Sequence, residues 1–203
     1  MTSLRSGVKL TLMKKLSTYL FLFLFSFSAP SFADDISDFE IEGMSIGDSA
    51  LDFFSEEEIK NNIMNYYNDD KFSTSELNNI SWLTLYDSIG ISFKTEDYAI
   101  YEIIGHIHYS KNINDCYQKM DEIIESINNV VPNVNKSSKE TSNLNQDKSG
   151  NSKLTSVEFY FDSGRSHVGC YDWSIEKGWI DHLRVVIALD EFIDWSINNL
   201  YKK

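Results

Sequence analysis

The sequence predicts an α+β fold, in which a mainly antiparallel sheet is packed on one face by helices within a single domain. Three observations lead to this fold class. Residues 87–109 and 155–173 alternate apolar and polar side chains around short turns, as hairpin strands do. Residues 112–131 repeat apolar side chains at three- and four-residue steps, as an amphipathic helix does. Adjacent strands joined by short turns pair antiparallel.

The first 33 residues have the composition of a signal peptide. They contain no acidic residue, and two lysines precede an apolar run of residues 16–27 that is short for a bilayer span. Small residues at Ser31 and Ala33 predict cleavage after Ala33. We therefore expect residues 34–203 to form the mature domain, periplasmic or secreted, with no stable membrane anchor after cleavage.

The charge of the mature chain excludes some classes of partner. The full chain carries 18 basic and 31 acidic residues, and loss of the leader would remove four basic residues and no acids, giving a net charge of −17. Such a surface repels nucleic acid phosphates and anionic lipid headgroups. We expect no nucleic acid partner, the sequence indicates no cofactor, and it leaves the identity of other partners open.

The N-terminal third of the mature chain predicts one strand, one helix and a connection. Residues 39–46 alternate around a glycine, which is typical of a short bent strand. Asp48 is expected to cap a helical stretch that reaches about Tyr67, and residues 55–58 have the spacing of a capping box. Residues 61–79 are rich in Asn, Asp and Ser, which predicts a helix end followed by an irregular surface connection.

The middle of the chain predicts a hairpin followed by the clearest helix. Residues 87–93 and 98–109 form the two strands, joined by a turn at 94–97. On the returning strand one face is almost wholly apolar: Ala99, Tyr101, Ile103, Gly105, Ile107 and Tyr109. The opposite face carries Glu102, Ile104, His106 and His108. The helix begins at Asn112 and is closed by Pro132.

The last third predicts a loop, a second hairpin, a strand and a helix. Residues 133–153 contain almost no apolar residues and predict a mobile loop inside the domain. Residues 155–173 predict a hairpin with Ser163-Gly164 at its tip, so that Val157 lies opposite Cys170 on the buried face. Residues 183–189 predict a strand, and Asp190 is expected to cap a helix that reaches about Tyr201.

The two cysteines are predicted to form a disulfide. Cys116 lies on the apolar stripe of the helix, and Cys170 lies on the buried face of the hairpin. These surfaces meet when a helix packs on a sheet, and exported proteins reside in oxidising compartments. The bridge would close a loop of about 55 residues and stabilise the fold by roughly 4 kcal/mol.

The outward face of the sheet holds the candidate binding residues. Tyr160, His167 and Tyr171 point away from the predicted core and form a possible ligand face. His106 and His108 share a strand face about 7 Å apart, and two imidazoles at this spacing can supply two ligands to zinc or copper. Metal binding is therefore one alternative function.

A second alternative comes from Gly47-Asp48-Ser49. This block resembles the first block of GDSL-type esterases, and the resemblance implies that Ser49 would attack an ester carbonyl. The chain departs from the rest of that pattern. The block Asn112-Ile113-Asn114-Asp115 lacks the glycine of the family's Gly-x-Asn-Asp motif, and neither His167 nor His182 has an aspartate three residues before it.

Three longer segments resemble a family of small exported bacterial proteins with no assigned function. These segments are DFEIEGMSIGDSALDFFSEEEI, INDCYQKMDEI, and GCYDWS followed by DHLRVVI. The resemblance implies no activity. We therefore expect an exported small globular protein that acts as a non-catalytic binding or accessory domain, with the Ser49 hydrolase and the His106–His108 metal site as alternatives.

Overall fold

A computed structural model describes residues 36–200, and within them eleven strands and three α-helices form. The strands are β1 (Glu40–Ile41), β2 (Met44–Ser45), β3 (Ile63–Met64), β4 (Phe72–Asn78), β5 (Ser88–Lys94), β6 (Ile100–His108), β7 (Asn135–Lys136), β8 (Glu140–Asn143), β9 (Lys153–Tyr160), β10 (Gly164–Asp172) and β11 (His182–Leu189). The helices are α1 (Glu56–Asn61), α2 (Ile113–Val130) and α3 (Asp190–Asn199). The predicted signal peptide, its cleavage site after Ala33, and Tyr201 lie outside the described residues.

Nine of these strands form one antiparallel sheet. Their order is β3-β4-β5-β6-β11-β10-β9-β7, and β8 also pairs with β9, while β1 and β2 form a separate two-stranded ribbon. The described residues belong to one compact unit, Ala33–Lys203. The predicted α+β class with a mainly antiparallel sheet is confirmed. Within residues 36–200, no helix combines the length and the apolar character that a membrane span requires.

The first face of the sheet packs against α2. This helix buries Cys116, Met120 and Ile127 along the stripe that the sequence predicted, and the side chain of Asn112 caps its first turn. Cys116 and Cys170 form a disulfide across this interface, with their Cα atoms 6.0 Å apart. The predicted helix and the predicted disulfide are both confirmed.

The second face of the sheet is covered in part by α3. This face carries Phe72, Thr74, Ser92 and Glu102. Thr74 of β4 shares a hydrogen bond of 2.7 Å with Ser92 of β5, and Ser92 donates one of 2.7 Å to Glu102 of β6. Phe192 and Trp195 of α3 pack against Phe72, with ring centroids 5.4 and 5.0 Å apart. Helices therefore lie on both faces, whereas the sequence predicted them on one face. The prediction missed the second face because Phe72, on which α3 packs, lies in a segment that was predicted to be irregular.

The segment from 48 to 79 differs most from its prediction. The predicted helix shrinks to α1, which has the expected capping box between Ser55 and Glu58. Ser49, and not Asp48, caps a short 3-10 turn before it. The predicted irregular connection contains β4, in which buried Ser75 donates a hydrogen bond to the carbonyl of Ile59. The buried polar side chains of β4 have hydrogen-bond partners in the folded protein, so this strand does not show the apolar alternation by which a strand is recognised in a sequence.

A β-bulge reverses part of the predicted alternation in β6. Ser92 pairs with Glu102, but the next residue of β5, Phe93, pairs with Ile100, so β6 carries one extra residue. Ile100 consequently lies in the core, and Tyr101 turns to the second face. The predicted apolar face is wrong before the bulge and correct after it.

The β9–β10 hairpin keeps its predicted faces but not its predicted pairing. Cys170 lies opposite Thr155 and not opposite Val157, a shift of two residues that leaves every side chain on its predicted face. The turn is one residue earlier than predicted, because Gly164 belongs to β10. A Cβ on Gly164 would lie 2.3 Å from the carbonyl oxygen of Ala188, so this glycine allows β10 and β11 to approach closely.

Residues 133–153 contain regular structure that the polar composition did not predict. Both β7 and β8 pair with β9. After β8, the carboxylate of Asp147 is buried and accepts hydrogen bonds from Ser149, Ser152 and Ser174. These bonds, led by that of Ser152, hold the pKa of Asp147 below its usual range. The loop prediction is wrong for residues 135–136 and 140–143. The prediction considered only apolar burial, whereas hydrogen bonds to β9 hold these residues in strands.

Candidate functional site

A small cavity lies between α3 and the second face of the sheet, and we call it the α3 cavity. Its volume is about 210 Å³. Its charged and aromatic lining comes from β6, β9, β10 and β11: Glu102, Glu158, Arg165, His167, Tyr171 and Arg184. Val186 and Ala188 of β11 and Ile193 of α3 add apolar surface.

The alternation of two neighbouring strands explains why these side chains meet. On β10, residues 165, 167 and 171 point to the second face, and on β11 residues 184, 186 and 188 do so. The pairing places Arg165 beside Ala188 and His167 beside Val186. On the other side of β11, Ala188 pairs with Glu102 of β6. One face of three adjacent strands therefore supplies most of the cavity.

His167 is held in one orientation by a carboxylate. Its Nδ1 lies 2.6 Å from Oε1 of Glu158, and the two side chains are 17% and 32% exposed. The other ring nitrogen, Nε2, is buried and has no hydrogen-bond partner among residues 36–200. A Cβ on Gly169 would lie 2.6 Å from this Nε2, so the glycine leaves room for the ring. A ring that donates from Nδ1 to Glu158 presents Nε2 as an acceptor.

The two arginines of the cavity differ in their pairing. Arg165 donates from Nη2 and Nε to Oδ1 of Asp190, at 2.9 and 3.2 Å. Asp190 is the first residue of α3 and makes this ion pair in place of the predicted cap. Arg184 makes no ion pair within the described part of the chain, and its buried Nε has no hydrogen-bond partner there. Arg184 therefore supplies the cavity with a guanidinium group that has no ion-pair partner among residues 36–200.

Glu102 supplies a carboxylate that is only partly compensated. Its Oε2 accepts a hydrogen bond of 2.7 Å from Ser92, a neutral donor. Burial raises the pKa of Glu102, while the hydrogen bond from Ser92 and the positive charge of Arg184 act in the opposite direction. Glu102 and Arg184 are close enough to interact electrostatically without forming an ion pair.

Three histidines form a cluster next to the cavity. The ring of His182 lies 5.5 Å from that of His106 and 6.4 Å from that of His108, and it stacks on Tyr171 at 4.7 Å. Sequence reasoning placed His106 and His108 on one face but missed His182, because β6 and β11 are far apart in the chain. Among residues 36–200, no group of three or more His, Cys, Asp or Glu side chains is arranged to hold a metal ion.

We expect His106 to make the protein less stable in mild acid. Burial, and next the positive charge of Arg184, lower the pKa of His106 to about 3, from 6.5 in the unfolded chain. Between these values the unfolded chain binds a proton that the folded chain does not, so stability falls as pH falls. From pH 7 to pH 5, His106→Gln should lose about 1–2 kcal/mol less than the wild type in urea unfolding. An equal loss in both proteins would contradict a buried neutral His106.

The structure brings together two of the three residues predicted for the ligand face. His167 and Tyr171 line the α3 cavity, whereas Tyr160 is 47% exposed and lies outside its lining. Sequence reasoning did not assign the other seven lining residues to the ligand face: Glu102, Glu158, Arg165, Arg184, Val186, Ala188 and Ile193. Arg184 does carry a signal, because it is a charged residue on the outward side of a mainly apolar strand.

Ser49 has a local structural role. Its hydroxyl accepts a hydrogen bond of 3.3 Å from the backbone N–H of Leu51 and so caps the 3-10 turn Ala50–Asp52. Within residues 36–200, no hydrogen bond joins this hydroxyl to an imidazole, as activation of a serine nucleophile requires. The geometry gives the hydrolase alternative no support.

Comparisons with protein-family models, with curated proteins and with solved structures find no match for this chain. The chemistry of the α3 cavity is therefore the basis for a functional proposal. Its distinguishing features are an unpaired guanidinium group, a partly compensated carboxylate and an oriented imidazole around a small apolar surface.

Proposed function

We propose that the protein is an exported, non-catalytic domain that binds a small polar molecule in the α3 cavity. One observation carries this proposal: Arg184, which has no ion pair among residues 36–200, and Glu102, whose hydrogen-bond partner is the neutral Ser92, line the same cavity. A hydrogen bond to a charged group contributes about 1.5–3 kcal/mol. A bound polar molecule that forms such bonds with Arg184 and Glu102 gains that free energy.

Further features of the chain support export and binding. The Cys116–Cys170 disulfide is typical of oxidising compartments, and the leader-like composition of residues 1–33 agrees with export. The resemblance to a family of small exported bacterial proteins points the same way. Binding sites for small molecules combine apolar surface with a few convergent polar groups, as the α3 cavity does.

A bulky side chain placed in the cavity tests the proposal. Ile193 lines the cavity, while Ile197, one turn later on α3, is 68% exposed. A library of small polar molecules is screened by saturation-transfer NMR against the wild type, Ile193→Trp and Ile197→Trp. We expect molecules that bind the wild type and Ile197→Trp to lose at least tenfold in affinity for Ile193→Trp.

The result that would overturn the proposal is equally specific. Binding that survives Ile193→Trp places the ligand elsewhere, and a library with no binder for the wild type leaves the cavity without a small-molecule role. Near-ultraviolet circular dichroism of both variants shows whether tryptophan has changed the fold. Because Ile193→Trp and Ile197→Trp make the same substitution on one helix, a difference between them reports on the cavity.

A further inference from the structure

The α3 cavity presents one positive group and one negative group that the protein has not already paired. Arg165 is paired with Asp190, and Glu158 is paired with His167. Arg184 has no ion pair within residues 36–200, and the hydrogen-bond partner of Glu102 is the neutral hydroxyl of Ser92. The groups free to recognise a charged ligand are therefore Arg184 and Glu102.

A ligand with a single charge would gain from one of these groups and lose to the other. An anion at Arg184 would share the cavity with the carboxylates of Glu102 and Glu158. A cation at Glu102 would share it with the guanidinium groups of Arg165 and Arg184. Like charges repel each other at short range, so these contacts disfavour both ligands. A ligand that carries both charges pairs with Arg184 and Glu102 together.

The size of the cavity suits a small molecule. Its volume is about 210 Å³. This volume is smaller than the sites that hold drug-sized ligands. The apolar surface of Val186, Ala188 and Ile193 can cover a short aliphatic group. A free amino acid with an aliphatic side chain has the required size, charges and apolar part.

We infer that the α3 cavity binds a small zwitterion, with the ligand carboxylate on Arg184, the ligand ammonium group on Glu102, and an aliphatic group against Val186, Ala188 and Ile193. This inference rests on the proposed function and narrows it to one ligand class.

Three matched probes test the charge requirement on the unmodified protein. They are leucine, 4-methylpentanoate, which lacks the ammonium group, and 3-methylbutylamine, which lacks the carboxylate. In isothermal titration calorimetry we expect leucine to bind at least tenfold more tightly than either analogue. The other common amino acids are titrated in the same way, since the length of the preferred aliphatic group is an outcome of the experiment.

Two substitutions should change the ranking of the probes in opposite directions. Glu102→Gln is expected to weaken the binding of leucine at least tenfold. It should strengthen the binding of 4-methylpentanoate, because the carboxylate that repels this anion is gone. Arg184→Met is expected to weaken the binding of leucine. It should strengthen the binding of 3-methylbutylamine, because the guanidinium group that repels this cation is gone. Glu57→Gln is the matched control, since Glu57 is exposed on α1 outside the lining of the cavity, and it should leave all three affinities unchanged.

Distinct results separate failure of the inference from failure of the proposed function. Should either analogue bind as tightly as leucine, with binding lost in Ile193→Trp, the cavity binds small molecules but does not require a zwitterion. Absence of binding by every common amino acid also overturns the zwitterion inference, while the library screen decides the proposed function independently. The comparison of probes on the wild type holds even if a charge substitution disturbs folding.

Discussion

Replacing Cys116 and Cys170 together with alanine is expected to lower the free energy of unfolding by about 4 kcal/mol. The disulfide joins residues 54 positions apart, and a cross-link of this span restricts the unfolded chain by that amount on the chain-entropy estimate. For a domain of this size the loss corresponds to roughly 10 °C in Tm. Urea unfolding of the oxidised wild type and the double variant, fitted with a common m-value, measures the difference.

Reductant supplies the control for this prediction. Wild-type protein in excess dithiothreitol should unfold at a midpoint close to that of the double variant, and the double variant should not respond to dithiothreitol. Thiol titration of the purified wild type, denatured without reductant, should find no free thiol. Two free thiols, or equal midpoints for the oxidised and reduced wild type, would contradict a stabilising bridge.

The disulfide could be predicted from sequence because it depends on which face of its helix or strand each cysteine lies on, and not on the exact register of the strands. The hairpin pairing was predicted two residues out of register, and such an error leaves Cys170 on the buried face. The stripe of α2 fixes Cys116 in the same way, through a repeat of three and four residues. A one-residue error, as the bulge in β6 introduces, does change the face of a side chain, and Tyr101 shows the consequence.

Three of the strands that sequence reasoning missed, β4, β7 and β8, share a polar composition. In β4, buried Thr74 and Ser75 are satisfied by hydrogen bonds to Ser92 and to the carbonyl of Ile59. Partners for such groups come from distant parts of the chain, so hydropathy along one strand does not reveal them. The residues of β7 and β8, which pair with β9, are polar and exposed, so no apolar alternation marks these strands in the sequence.

The site could be predicted only in part, because its residues come together through strand order. Alternation assigned His167, Tyr171 and Glu102 to outward faces correctly. It did not reveal that β11 lies between β6 and β10, which is what brings Arg184 next to these groups. The third side of the cavity depends on α3, whose position follows from Phe72 in a strand that the sequence did not predict.

Replacing Phe72 with alanine is expected to cost about 3–5 kcal/mol and to release α3 from the sheet. Phe72 is 1% exposed and contacts Tyr101, Phe192 and Trp195, so its removal leaves a hole beneath the helix. A helix of 10 residues is too short to be stable alone, so α3 depends on these contacts. Urea unfolding measures the loss of stability, and amide hydrogen exchange of residues 190–199 measures the release of the helix.

Phe159→Ala is the matched control for this prediction. Phe159 is as deeply buried as Phe72 but belongs to the core on the first face, so its loss should cost a similar free energy without freeing α3. In Phe159→Ala the amides of α3 should exchange only through global unfolding, whereas in Phe72→Ala they should exchange faster than global unfolding allows. Equal protection of α3 in both variants would contradict the role of Phe72. Because Ile193 lines the cavity from α3, Phe72→Ala should also weaken the binding of every ligand in the α3 cavity, and Phe159→Ala should leave that binding unchanged.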